Sequence, residues 1–187
     1  MPSKAIGHPD TRLVVLRGNS ASGKSTVAAA LRARLGRGVA LVQQDVLRRG
    51  VLGEHDRAGL PNIGLIETTI AYALDAGYHV IAEGIFVASH YGQMLRAVSA
   101  RHAGRSHFYY FDISLLETFR RHATKPATSV GPDRLGEWFV PHDILAVPGE
   151  TLIDDGESEE QIVRRILREV PFPAPPVTRA YVPEAHL

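Results

Sequence analysis

Apolar runs alternate with helical repeats along most of this chain. "RLVVL" (residues 12–16) is almost wholly apolar, as in a strand buried on both faces. Val27, Leu31 and Leu35 then recur at i, i+4 and i+8, one face of a helix that "GRG" (residues 36–38) stops. "VALVQQ" (residues 39–44) reads as a second strand. Ile63, Ile66, Ile70 and Leu74 line a helix ending at Gly77, and "YHVIA" (residues 78–82) is a third strand. Ser89 is placed to cap a helix that buries Tyr91, Met94, Leu95 and Val98. "HFYYFDI" (residues 107–113) is a fourth strand, and Ser114 with Glu117 has the S-x-x-E spacing of a capping box. "ETLIDD" (residues 150–155) is a short fifth strand. Ser158 with Gln161 opens a last helix burying Ile162, Val163, Ile166 and Leu167.

Strands alternating with helices predict an α/β fold, a parallel sheet covered by helices on both faces. There is no internal repeat or dividing linker, so one domain is expected over residues 1–170. Two segments break the rhythm. Residues 124–148 are rich in proline, glycine and charge, and are long for a connection in a compact domain, the character of a lid. Residues 171–187, "PFPAPPVTRAYVPEAHL", are too proline-rich for regular structure and read as a tail.

Composition narrows the function classes. A net charge of +1 over 187 residues argues against a broad nucleic-acid surface. The absence of cysteine excludes disulfides, thiolate metal sites and cysteine nucleophiles. No apolar run is as long as a membrane span and "MPSKAIGHPD" has no signal-peptide core, so a cytoplasmic location away from membranes is expected. Positive charge is nearly all arginine; Lys4, Lys24 and Lys125 are the lysines.

One of those lysines lies between the first strand and its helix. "GNSASGKS" (residues 18–25) fits G-x-x-x-x-G-K-[ST], the phosphate-binding loop. Gly18 and Gly23 permit backbone angles that turn successive amides inward around phosphate oxygens, with Asn19, Ser20, Ala21 and Ser22 between them. The helix that follows, through Thr26, aims its positive end at the same point. Lys24 neutralises the outer phosphates and the Ser25 hydroxyl completes a magnesium shell. The expected ligand is ATP, or another nucleoside triphosphate, with Mg²⁺.

The class of nucleotide user follows from the remaining motifs. No N/T-K-x-D guanine motif occurs, which counts against a GTPase switch. An AAA-type or helicase motor would need more chain and sensor motifs. Asp45 follows the second strand, at the edge where parallel sheets bind ligands. There a carboxylate can orient an acceptor hydroxyl and take its proton. It can also cap a helix starting near Val46, and the two roles can coexist.

The phosphate loop, D-x-x-R after strand two, an acid after strand three and an arginine-rich lid together resemble the small P-loop kinases of the zeta-toxin, chloramphenicol phosphotransferase, adenylylsulfate kinase and polynucleotide 5′-kinase group. The resemblance implies a P-loop sheet of order 2-3-1-4-5 and an ATP- and Mg²⁺-dependent phosphotransferase acting on a hydroxyl of a small molecule such as a sugar, nucleoside or antibiotic. It assigns Asp45 as the catalytic aspartate and Arg48 as an acceptor or phosphate contact. Glu83 becomes a carboxylate near the acceptor and, through water, the metal. On the lid, spanning about 118–148, it places Arg120, Arg121, Lys125 and Arg134, with Arg121 as the first catalytic arginine and Lys125 or Arg134 as the second cation. Relatives include antibiotic-inactivating enzymes, which implies a resistance role. A polynucleotide 5′-kinase and a nucleotide-binding switch without acceptor chemistry are the alternatives.

Overall fold

The structure, a computed structural model, describes residues 4–123 and 132–174, with residues 132–134 described by their backbone alone. Five strands, β1 (Leu13–Gly18), β2 (Val39–Gln43), β3 (His79–Gly84), β4 (Ser106–Phe111) and β5 (Thr151–Ile153), form one all-parallel sheet of order β2-β3-β1-β4-β5. The order inferred from the resemblance is the order observed. Among the described residues six α-helices accompany them: α1 (Lys24–Leu35), α2 (Pro61–Asp75), α3 (Ala88–Arg101), α4 (Leu115–Ala123), α5 (Pro132–Glu137) and α6 (Glu159–Glu169). No helix among the described residues is long and apolar enough to cross a membrane.

The period-2 alternation of β1 divides the core. Leu13 and Val15 face α2 and α3, where Ile66, Ile70, Leu74, Tyr91, Leu95 and Val98 pack with Val80 and Phe108. Val14 and Leu16 face the other way, onto Val27, Leu31, Ile162, Val163 and Ile166 of α1 and α6. Both faces are covered, so the strands read as continuous apolar runs. Ser158 and Gln161 form the expected capping box of α6.

Three local expectations change. Ser89 does not cap α3: the first helical amide, Ala88 N, donates to Asp143 Oδ2 at 2.8 Å instead. The α4 box forms only halfway. Glu117 N donates to Ser114 Oγ (3.2 Å), but the Glu117 carboxylate turns to two arginines, and Ser114 N is satisfied by Asp155 Oδ1 (2.9 Å). A charged partner outcompetes a neutral amide for a carboxylate. Between β2 and α2 the helix expected to start near Val46 is a π-helical turn (Val46–Val51).

His102 makes stability pH-dependent. Its ring is wholly buried between Thr11 Oγ1 (3.2 Å) and Ser106 Oγ (3.1 Å). Burial, followed by the charges of Arg105 and Arg12, lowers its pKa to about 4. The unfolded chain therefore binds a proton below about pH 6.5 that the folded chain refuses, and stability falls as pH drops from there towards 4. Denaturant unfolding at pH 7 and 4.5 should show a loss on the order of 2–3 kcal/mol, at about 1.4 kcal/mol per pKa unit. In His102→Gln that slope should flatten.

Candidate active site

The loop from Gly18 to Ser25 leaves the carboxyl end of the central strand and enters α1. Gly18 (φ +140°) passes so close to β4 that an added Cβ would lie 2.6 Å from the Phe111 carbonyl oxygen. Gly23 is the N-cap of α1, and Lys24 is its first residue. The Lys24 side chain is 5 % exposed, and its Nζ donates to Asn19 O (2.6 Å) and Ser22 Oγ (3.0 Å). A cation at this end of a helix opposes the macrodipole, so its position favours an anion placed between the two. Asn19, the second loop residue, clamps the backbone of Val140: Nδ2 donates to Val140 O (2.8 Å), and Val140 N donates to Oδ1 (2.9 Å).

Glu83 reaches the loop from the end of β3. Ser25 Oγ donates to its Oε2 at 3.0 Å, and Gln43 Nε2 of β2 donates to Oε1 at 2.9 Å. The buried carboxylate and the exposed hydroxyl thus meet beside the start of α1. Gln43, part of the predicted second strand, carried no signal of this role.

Asp45 stands past the end of β2 and is 62 % exposed. Its backbone is helical (φ −66°, ψ −34°) and its side chain caps nothing, which removes the helix-cap reading. The carboxylate instead accepts from Arg48 Nη2 at 2.6 Å and lies 3.6 Å from Arg49 Nε. Arg48 is no solvated residue: it is 5 % exposed, and its Nη1 donates to Glu54 O (2.9 Å). Arg49 is half exposed, as its position suggests.

Arg121 rests on the phosphate loop. Its Nη1 donates to Ser22 O (2.7 Å) and its Nε to Glu117 Oε1 (2.7 Å). Arg120 and Arg121 hold the Glu117 carboxyl down to about 2, Arg120 contributing more. Arg120 itself points outward, 69 % exposed, and does not join the loop. Lys125 lies outside the described residues, as does the side chain of Arg134.

Beside the loop, a cavity of ≈ 390 Å³ opens between Asp112–Leu115, the β5–α6 turn at Asp155, and Phe139 with His142. Asp112 pairs with His142 Nδ1 at 2.7 Å. The neighbouring Ser114 turn is held by Asp155, whose Oδ2 accepts from Ser114 Oγ at 2.6 Å.

The largest omission of the sequence reading is Arg17. It follows an apolar strand and looks like the start of a surface loop, yet it is wholly buried. It donates to Asp143 Oδ2 (2.6 Å) and Glu150 Oε1 (2.8 Å), and its guanidinium lies 4.9 Å from the centre of the Tyr110 ring. With the Asn19 clamp, this network fastens residues 140–150 to the strand that carries the phosphate loop. Arg17→Met should cost about 3–5 kcal/mol in denaturant unfolding, because it leaves two carboxylates without their cation. Arg17→Lys should recover little, since one ammonium cannot replace a planar fork.

A glycine-rich loop between a central parallel strand and a helix, with a buried lysine and a neighbouring strand-end carboxylate, defines a P-loop nucleotide-binding domain. The chain belongs to the family described as AAA domain, which it matches over residues 13–137. The match covers the phosphate loop and β1–β4. No curated protein matches in sequence. Among solved structures, the APS kinase of Mycobacterium tuberculosis in complex with AMPPNP and APS is 20% identical, with 86% of this chain and 98% of that chain covered and a TM-score of 0.63. A gluconokinase from Sinorhizobium meliloti 1021 is 16% identical over 87% and 93% of the two chains, at a TM-score of 0.62. The Deinococcus radiodurans tunicamycin resistance protein is 16% identical over 89% and 99%, at 0.61. These likenesses are of fold.

Proposed function

We propose that this protein is a small-molecule kinase of the zeta-toxin, chloramphenicol phosphotransferase and adenylylsulfate kinase-like group, transferring the terminal phosphate of ATP to an acceptor hydroxyl. The observation that carries the reading is Lys24, a buried ammonium at the positive end of α1 that donates to Asn19 O and Ser22 Oγ of the loop. Triphosphate binding offsets both unfavourable placements at once. The cavity at Asp112 and Asp155 lies next to that loop and is the place for the nucleoside.

The residues present fit a magnesium ion. Ser25 Oγ would be a direct oxygen ligand and Glu83 would act through water; the two already meet at 3.0 Å. Among the described residues no group of three or more His, Cys, Asp or Glu could hold a metal by itself. That suits an ion whose other ligands are phosphate and water oxygens. When bound it would neutralise phosphate charge.

The acceptor lies over the ends of β2 and β3. Asp45 receives the hydroxyl proton as oxygen bonds to the terminal phosphorus and ADP departs. Arg121, within reach of the loop through Ser22, balances charge on the transferring oxygens. Use of ATP accords with a cytoplasmic location. The test is acceptor-dependent ADP release across a library of hydroxyl compounds. Turnover with a 5′-hydroxyl oligonucleotide alone would favour the polynucleotide kinase, and ATP binding without turnover of any acceptor would favour the switch.

A further inference from the structure

Asp56 lies in the loop joining the π-helical turn to α2, a segment with no motif. Its carboxylate is 24 % exposed and is held from behind. The Tyr91 hydroxyl donates to Oδ1 at 2.8 Å and Gln44 Nε2 donates to Oδ2 at 3.2 Å, while His90 Nδ1 stands 3.7 Å from Oδ1. Tyr91 in turn accepts from Asn62 Nδ2 (2.8 Å), and Gln44 Oε1 accepts from Phe86 N (3.2 Å). Gln44 fills the space that a side chain at Gly84 would need, since an added Cβ there would lie 2.4 Å from its Oε1. Burial, then Asp56 itself, pushes the Tyr91 hydroxyl above its ordinary pKa, so it stays a neutral donor.

This network spans the carboxyl ends of β2 and β3: Gln44 adjoins Asp45 in sequence, and Phe86 is three residues past Glu83. Among the described residues Asp56 forms no ion pair with lysine or arginine; its charge is stabilised by neutral donors and partly open to solvent. Arg48, the buried arginine on this side, is engaged by Asp45 and Glu54. Asn62 Oδ1, within the network, and Nε of Arg48, which holds the loop bearing Asp56, belong to side chains at least nine-tenths buried and have no partner among the described residues. An anionic acceptor would meet the carboxylates of Asp45 and Asp56 here, where the charge of Arg48 is already balanced by Asp45. A hydroxyl or ammonium would meet an acceptor already oriented for it.

We infer that Asp56 determines acceptor specificity, and that the acceptor is a neutral or cationic polyhydroxyl compound, a sugar or amino sugar that donates to this carboxylate. The inference rests on the kinase reading above, which it sharpens by excluding carboxylate, sulfate and phosphate-ester acceptors at this position. Tyr91 is a positioning residue that acts through Asp56.

The experiment measures ATP binding and initial rates of phosphorylation for the full chain, with neutral hexoses, amino sugars, gluconate and shikimate as acceptors. Wild type should phosphorylate neutral or amino compounds in preference to the two acids. Asp56→Asn should raise KM for the preferred acceptor about 10–100-fold with kcat within about 3-fold, the scale of one hydrogen bond to a charged group. The rise should be larger for amino sugars than for hexoses, a distinction that a merely structural role would not produce. Tyr91→Phe should raise KM less, with the same order among acceptors. Preference for the acids, or an unchanged KM in both variants, would overturn the inference and leave the kinase standing. Intact ATP binding with no turnover of any compound would overturn both.

Discussion

Replacing Lys24 with alanine should abolish phosphoryl transfer and weaken triphosphate binding severely while the protein stays folded. The side chain donates to Asn19 O and Ser22 Oγ of its own loop, a local role that the fold can lose. Relieving a buried cation at a helix N-terminus even favours the unliganded fold. What disappears is the charge that receives the outer phosphates, a contact worth more in this enclosed loop than in water. Equilibrium titration with a fluorescent ATP analogue, beside a thermal melt, separates the two effects. Wild-type affinity in Lys24→Ala would end the phosphate-loop assignment, whereas loss of the melt would show that the lysine supports the fold.

Asp45→Asn should leave ATP affinity within a few-fold of wild type and lower acceptor phosphorylation by about 10²–10⁴-fold, the range for a lost general base. The side chain caps no helix, so the substitution costs no cap. Its structural consequence is the ion pair to Arg48, whose guanidinium also donates to Glu54 O. Asparagine keeps an oxygen for that contact but cannot take up a proton. Single-turnover rates at saturating ATP with the acceptor found by the library make the comparison. Retained transfer would assign Asp45 to the orientation of Arg48.

The phosphate loop was legible because its chemistry demands particular residue types at short, fixed spacing, and a run of eight residues carries the whole motif. Glu83 was nearly as legible, since parallel strands end at one edge and an acid after an apolar run stands there. The surroundings of these residues were not. Arg17 follows Leu16 and precedes Gly18, and nothing local distinguishes it from a surface arginine; its partners lie 126 and 133 positions away. Asp143 caps α3 across a separation of 55 residues while Ser89, the local candidate, does not. Asp45 was ambiguous between base and cap until its backbone angles removed the cap.

The sequence by itself determined the five strands, the helical faces that cover them and the loop that receives a phosphate, because period-2 runs, 3.6-residue repeats and a glycine–lysine motif are local properties of the chain. The sheet order was reached through resemblance. Only the tertiary structure decided which polar side chains are buried together. Arg17 with Asp143 and Glu150, Ser25 with Glu83 and Gln43, and Asp56 with Tyr91 and Gln44 each join residues far apart in the chain. A charge or amide in a low-dielectric interior must find a partner wherever folding brings one, and sequence spacing does not encode that distance.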